Sequence, residues 1–196
     1  MKNLLIFSVI SFLIFSCQEQ SKPLNAEPAA RTVPQHSIEQ FYKSSEVFGG
    51  AFTTDDSKLL VTSNESGIFN AHEIDIGSGQ KTALTSSTKE SVYAAGYVPG
   101  THNFIYSSDK GGNEMSHLYL KKDSLVKDLT PGEKEKANFG GWSRDGKVLY
   151  YSSNKRDSRF FDQYKMDTAT WNPVMLYKTT KVLTYQLCLI MNVTWF

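Results

Sequence analysis

Two cysteines in 196 residues, Cys17 and Cys188, are too few to build a disulfide framework. The four histidines, at 36, 72, 102 and 117, show no metal-ligand spacing with one another or with cysteine. Neither a metal site nor any other cofactor is therefore expected. Charge is nearly balanced at +1, which gives no electrostatic reason to expect nucleic acid as a partner. The nucleophile pattern G-x-S-x-G is missing as well. Its nearest approach is "GGWSRDGK", where Arg144 and Asp145 follow Ser143 and no glycine stands at the fifth place.

The N-terminus carries an address. Lys2 supplies a positive start, and Leu4 to Phe15 is a twelve-residue run of apolar residues and serines. That is shorter than the roughly 20 residues a spanning helix needs and has the proportions of a signal peptide. It ends in "LIFSC", which resembles a bacterial lipobox. Residues 1–16 are then a lipoprotein signal peptide, and Cys17 is the lipidation site that becomes the new N-terminus outside the cytoplasm. With Cys17 acylated, Cys188 has no mate. Residues 17–35 carry three prolines and almost no large apolar residue, as a flexible tether does. Ser37 and Gln40 fit an S-x-x-Q capping box, which predicts a short helix packing Ile38, Phe41 and Tyr42 inward.

From there the chain repeats. "DDSKLLVTSNES", "GTHNFIYSSDKG" and "RDGKVLYYSSNK" share a turn, a short apolar run and a polar end. Asp56, Gly100 and Asp145 mark the first register, 44 and 45 residues apart. His72 and His117 mark a second, and Leu84 and Leu129 a third, each pair 45 apart. In the last unit "NFGGWS", "KVLYYSS", "FDQYKMD" and "PVMLY" are strand candidates, separated by turn-forming residues. Four short antiparallel strands every 40–50 residues or so is the pattern of a β-propeller blade. The expected fold is all-β: a partial propeller of about three four-stranded blades over 36–178, with blades near 46–90, 91–135 and 136–178. Ser143 falls at a strand-to-strand turn, where no helix can follow, so it reads as a turn residue. The same slot holds "FTTDDS" and "YVPGTH" in the other units, so the serine is not expected to be a feature of the repeat.

These stretches, with the lead-in "HSIEQFYKSSEVF", resemble the N-terminal propeller of bacterial serine peptidases of the prolyl oligopeptidase family. The acylaminoacyl-peptidase and dipeptidyl-peptidase branches are nearest. "S-x-D-G-K-x-L-x-Y" and "Y-x-M-D" are also similar to TolB-like propeller repeats. The resemblance implies a propeller that gates peptide access to an α/β-hydrolase domain carrying serine, aspartate and histidine. No residue here matches that triad, so no catalytic residue is assigned. The implied partners are a peptide substrate or a hydrolase domain missing from this chain, with membrane contact through the lipid alone. A stand-alone TolB-like module of the cell envelope, binding a protein or glycan, is the alternative.

Three further stretches carry expectations. The loop "SSDKGGNEMSH" offers Asp109, Asn113 and Glu114 as a substrate-contact loop. "NKRDSRFF" places Lys155, Arg156 and Arg159 beside Phe160 and Phe161, and is expected to be a charged loop over a buried aromatic pair. Residues 179–196 form an atypical apolar tail without Gly, Pro or Asp. It reads as a frameshifted or truncated ending, with a closing strand or a buried helix as alternatives.

Overall fold

The computed structural model describes residues 35–180. The expected signal peptide with Cys17, nearly all of the expected tether and the tail beyond Thr180 lie outside the described residues. Two units are distinguished, divided after Tyr42. The first contributes helix α1, Ile38–Tyr42. It opens on the expected capping box: Ser37 N donates to Gln40 Oε1 at 2.9 Å, and Gln40 N donates to Ser37 Oγ at 3.3 Å. The inward packing of Ile38, Phe41 and Tyr42 is not found. All three are exposed: they share one face at i, i+3 and i+4, and among the described residues of the first unit nothing covers that face.

The second unit is built from twelve strands in three four-stranded antiparallel sheets. The first holds β1 Val47–Phe52, β2 Lys58–Ser63, β3 Asn70–Asp75 and β4 Lys81–Ala83. The second holds β5 Tyr93–Tyr97, β6 Phe104–Ser108, β7 His117–Lys122 and β8 Leu125–Asp128. The third holds β9 Ala137–Trp142, β10 Val148–Asp157, β11 Phe160–Asp167 and β12 Pro173–Tyr177. Each is a simple meander, and together they form a three-bladed part of a β-propeller.

Period-2 alternation makes two cores from one sequence pattern. In β6, Phe104 and Tyr106 face the first sheet and pack with its Leu60 and Ala71, together with Val92 and Tyr97 of the segment that enters the second. Their neighbour Ile105 points the other way, joining Leu118 and Leu120 against Leu149, Tyr151, Tyr164 and Met166 of the third sheet. Leu149 and Tyr151 lie 45 residues after Phe104 and Tyr106, so the repeat places the same kind of side chain on the same face of the next sheet.

The turns between first and second strands show the period most sharply. Thr53, Val98 and Ser143 each receive the amide of the residue three places on, and each donates to the carbonyl five places on. They are 45 residues apart. Asp56 and Gly146 take φ of 57° and 71°. The second turn reaches the same closure through Pro99 and Gly100, with Gly100 at φ 73°, as a type II turn requires. Asp145 therefore corresponds to Asp55, and the first register is corrected by one residue. The second register is corrected by two. Cross-strand pairing sets Ser63 opposite Asn70, Ser108 opposite His117 and Ser153 opposite Asp162. His117 thus matches Asn70, not His72. The loop after β6 is longer than the one after β2, and that length difference carried His72 into apparent step.

Candidate functional site

Ser143 is spent on the turn. Its Oγ donates to Asp145 Oδ1 at 2.6 Å and receives the Val148 amide at 2.9 Å. The hydroxyl, with the Lys147 amide, holds the Asp145 carboxyl below the usual carboxylate range. Thr53 makes the same pair of contacts, to Asp55 Oδ1 at 2.6 Å and from the Lys58 amide at 3.1 Å. There the Thr53 and Ser57 hydroxyls lower the Asp55 carboxyl to about 2. The hydroxyl thus recurs as threonine in the first sheet, while Val98 stands in the same slot of the second, so the serine is not a feature of the repeat. A nucleophilic serine must hand its proton to a base and stand free to attack; here a turn carboxylate takes the proton's hydrogen bond and a backbone amide fills the lone pair. Ser143→Ala is expected to leave labelling by a fluorophosphonate probe at zero, as in the unaltered chain. It should cost about 1 kcal/mol of stability for the lost hydrogen bonds. Stoichiometric labelling of the unaltered chain that the alanine abolishes would overturn this assignment.

The opposite ends of the sheets carry a buried polar residue at one position of each third strand. In every sheet it clasps the segment leaving the fourth strand. Asn70 Oδ1 receives Thr85 Oγ1 and the Ser87 amide, each at 2.8 Å. His117 places Nδ1 2.8 Å from Asp128 Oδ2 and Nε2 2.9 Å from the Gly132 carbonyl. Asp162 receives Arg156 Nε at 2.6 Å, Arg156 Nη2 at 2.8 Å and the Thr179 amide at 2.8 Å. The two buried histidines thus serve structure: His72 sits 3.2 Å from Glu65 and 3.1 Å from the Asn70 carbonyl. Among the described residues no group of three or more His, Cys, Asp or Glu is placed to hold a metal.

A cleft of about 360 Å³ opens at this end between the first and second sheets. One wall is the connecting segment from Leu84 to Val92. The other is the second sheet, with Tyr106 and Tyr119 stacked at 5.1 Å and an interplanar angle of 16°. The polar loop predicted from sequence forms the rim. Asp109 lines the cleft; Asn113 and Glu114 are not among its walls. Two of the three are committed to the loop itself, since Asp109 Oδ2 receives the Glu114 amide at 2.9 Å and Asn113 Oδ1 the Met115 amide at 3.0 Å. Gly111, Gly112 and Glu114 all take positive φ, so these bonds hold a tight left-handed turn. Glu90 fixes the loop from across the cleft, its Oε2 receiving the Gly111 amide at 2.8 Å.

Glu90, Tyr106 and Tyr119 escaped the sequence reading, although a signal for the first was present. Glu90 and Glu135 are 45 apart. Both reach a following hairpin strand or loop: Ser153 Oγ donates to the buried Glu135 carboxyl at 2.7 Å. The charged stretch near 155–160 is not a loop over a buried pair. It is the tip of the longest hairpin, β10–β11, with Phe160 and Phe161 half-buried. Both guanidiniums pack on Phe160, Arg156 at 5.7 Å and Arg159 at 5.3 Å from the ring centre.

No family model matches the chain. It is 37% identical over 105 residues to dipeptidyl aminopeptidase BIII from Pseudoxanthomonas mexicana, a match covering 50% of this chain and 15% of that enzyme. The chain thus spans a small part of the curated relative. Its fold is similar to TolB from Acinetobacter baumannii, with a TM-score of 0.53 and 20% identity, covering 67% of this chain and 32% of that one. It is also similar to a prolyl endopeptidase, with a TM-score of 0.51 and 11% identity, over 66% of this chain and 21% of that one. The chain resembles the propeller portion of a prolyl oligopeptidase-type peptidase, and its sheets are equally of the TolB kind.

Proposed function

We propose that the chain is the non-catalytic N-terminal propeller portion of an exported, lipid-anchored serine peptidase, serving to gate and contact peptide substrates. The observation that carries this reading is the 37% identity to a dipeptidyl aminopeptidase over 105 residues, joined to a sheet set whose one serine in a nucleophile-like setting is locked in a turn. Hydrolysis would then belong to a separate hydrolase domain. Asp109, Asn113 and Glu114 would face the peptide from the rim of the cleft. The coding DNA downstream is expected to contain, in some frame, further blades and a G-x-S-x-G hydrolase segment. Their absence from that DNA would refute the peptidase reading. It would leave the TolB-like alternative, an envelope propeller binding a protein or glycan, which the likeness of the sheets to TolB favours.

Placement in the bacterial envelope is part of this proposal and is supported by the lipobox-like "LIFSC". Metabolic labelling with a palmitate analogue is expected to tag the chain, and Cys17→Ser to abolish the tag. Equal labelling of the variant would remove the lipid anchor from the proposal.

A further inference from the structure

Of the three equivalent third-strand residues, His117 alone needs an extra proton to satisfy its partners. Asn70 meets its neighbours with an amide that both donates and accepts, and Asp162 takes the donors of Arg156. His117 is 9% exposed and has an acceptor at each ring nitrogen: Asp128 Oδ2 lies 2.8 Å from Nδ1, and the Gly132 carbonyl 2.9 Å from Nε2. A neutral imidazole carries one N–H and fills only one of them, whereas the imidazolium carries two and fills both. The Gly132 oxygen cannot donate. Asp128 has its other oxygen filled by the Thr130 amide at 3.0 Å, an arrangement that suits a carboxylate.

Around the ring, β6 presents Ser108 across the strand pair, and β7 presents Tyr119, stacked at 6.1 Å. The charged groups are Asp128 from β8, Glu135 from the connecting segment, and Glu90, Asp109, Lys110 and Lys121 from the neighbouring cleft. Lys155 of the third sheet lies 3.9 Å from Glu135. Among the described residues only Asp128 brings a charge into hydrogen-bond contact with the ring. The second proton holds a turn. The Gly132 carbonyl also receives the Glu135 amide at 3.1 Å, and the turn is tight, since a Cβ on Gly132 would come within 2.9 Å of Glu135 Cβ. Glu135, buried, receives the Ser153 hydroxyl at 2.7 Å, so the turn joins the second sheet to the third. It also walls a cleft of about 390 Å³ that Asn154 and Arg156 line from the other side.

We propose that His117 is a proton-operated clasp on the turn between the second and third sheets. As the imidazolium it holds the Gly132–Glu135 turn to β7. When the Nε2 proton leaves to solvent, the Nδ1–H bond to Asp128 stays and a lone pair is left facing the Gly132 carbonyl. Two acceptors repel at that distance, so the turn moves off and the wall of the cleft loosens. The Nε2 proton is the one released because a hydrogen bond to a carboxylate is stronger than one to a carbonyl. The clasp therefore contributes stability while the ring holds both protons, and that contribution is lost as pH rises. Histidine suits the role because imidazoles change charge between about pH 5 and 8. The inference stands whether or not a hydrolase domain exists, since it uses only groups of the second and third sheets.

Nitrogen-15 spectra of the histidine rings in the full chain, in neutral detergent, test it from about pH 5 to 8. The exposed His36 and His102 serve as references in the same sample. At the acid end His117 is expected to carry protons on both ring nitrogens, and at the alkaline end on Nδ1 alone. Over the same span the protection of the Glu135 amide against hydrogen exchange, corrected for its intrinsic rate, should fall about tenfold, the ratio that corresponds to ~1.4 kcal/mol. His117→Asn removes the proton-dependent donor, so its Glu135 amide should show no such fall. A His117 ring whose proton count never changes, or a Glu135 amide whose protection does not follow it, overturns the proposal. Both readings come from the unaltered chain and decide the matter even if the variant fails to fold.

Discussion

Replacing Arg156 by alanine is expected to destabilise the chain by about 3–5 kcal/mol, the cost of leaving a buried carboxylate without its cation. Asp162 is fully buried. Arg156 binds it through two parallel hydrogen bonds of 2.6 and 2.8 Å and also donates to the Thr179 carbonyl at 3.0 Å. One guanidinium thus holds the third strand of the last sheet and the segment leaving its fourth strand. Without it, Asp162 keeps the hydrogen bond from the Thr179 amide and the more distant charge of Lys178. Arg159→Ala is the control. That side chain is 76% exposed and paired to Asp157 at the hairpin tip, an arrangement worth under about 1 kcal/mol. Equilibrium denaturation of the two variants should separate them clearly, and equal losses would refute the argument.

The same pair sets an acid dependence. The Arg156 hydrogen bond is the largest influence on Asp162 and outweighs burial, so its carboxyl lies below the ordinary range in the folded chain. A carboxyl depressed by folding contributes stability above its unfolded value of about 3.9 and loses it as pH falls through the folded value. The unaltered chain should therefore lose stability in that acid window. Arg156→Ala should show a flatter dependence there, since the carboxyl has lost the group that depressed it.

Leu118→Ala is expected to cost about 3 kcal/mol, inside the 2–5 kcal/mol found for fully buried leucines. Leu118 has no exposed surface and packs in the core between the second and third sheets. Its amide donates to Thr130 Oγ1 at 2.9 Å and its carbonyl takes the Leu129 amide at 2.8 Å. The backbone is therefore pinned and cannot move in to fill the space left. Leu125, 71% exposed in the β7–β8 hairpin strand, should tolerate alanine within about 0.5 kcal/mol. A loss below 1 kcal/mol at Leu118 would mean that the two sheets close over the cavity.

The parts of the fold legible in sequence were those written into fixed spacing. The turns at 53–58, 98–103 and 143–148 keep one length, so their residues stayed in step and revealed the period. The leucines at 84 and 129 kept step for the same reason, each returning its amide to the third strand. The histidine pair misled because the hairpin after β6 differs in length from the hairpin after β2, and counting cannot see where a loop has grown. The helix was legible through Ser37 and Gln40, a local hydrogen-bond pattern, whereas its exposure depends on surroundings no local pattern encodes. In the cleft, Asp109 stood out as a polar loop residue. Tyr106 did not, because a tyrosine in a strand looks like core until the sheets are placed and one edge of its ring is seen to line a cleft.

The serine and its cross-strand partner, Ser63 with Asn70, Ser108 with His117 and Ser153 with Asp162, restore the ladder at the same place in every sheet. Chain beyond each pair is tied back by individual bonds, such as Arg156 to Asp162 and Gly111 to Glu90, and not by that ladder. The first sheet caps this point with a short turn, the second with the glycine-rich loop at the cleft, and the third with strands that run on to Asp157 and Phe160. Length and chemistry can change at these three tips while the inter-sheet cores stay as they are. A hairpin exchanged outside the polar pair therefore alters the tip while the pairing behind it stays, and transplanting the 109–116 loop in place of 64–69 is the natural construction with which to exploit it.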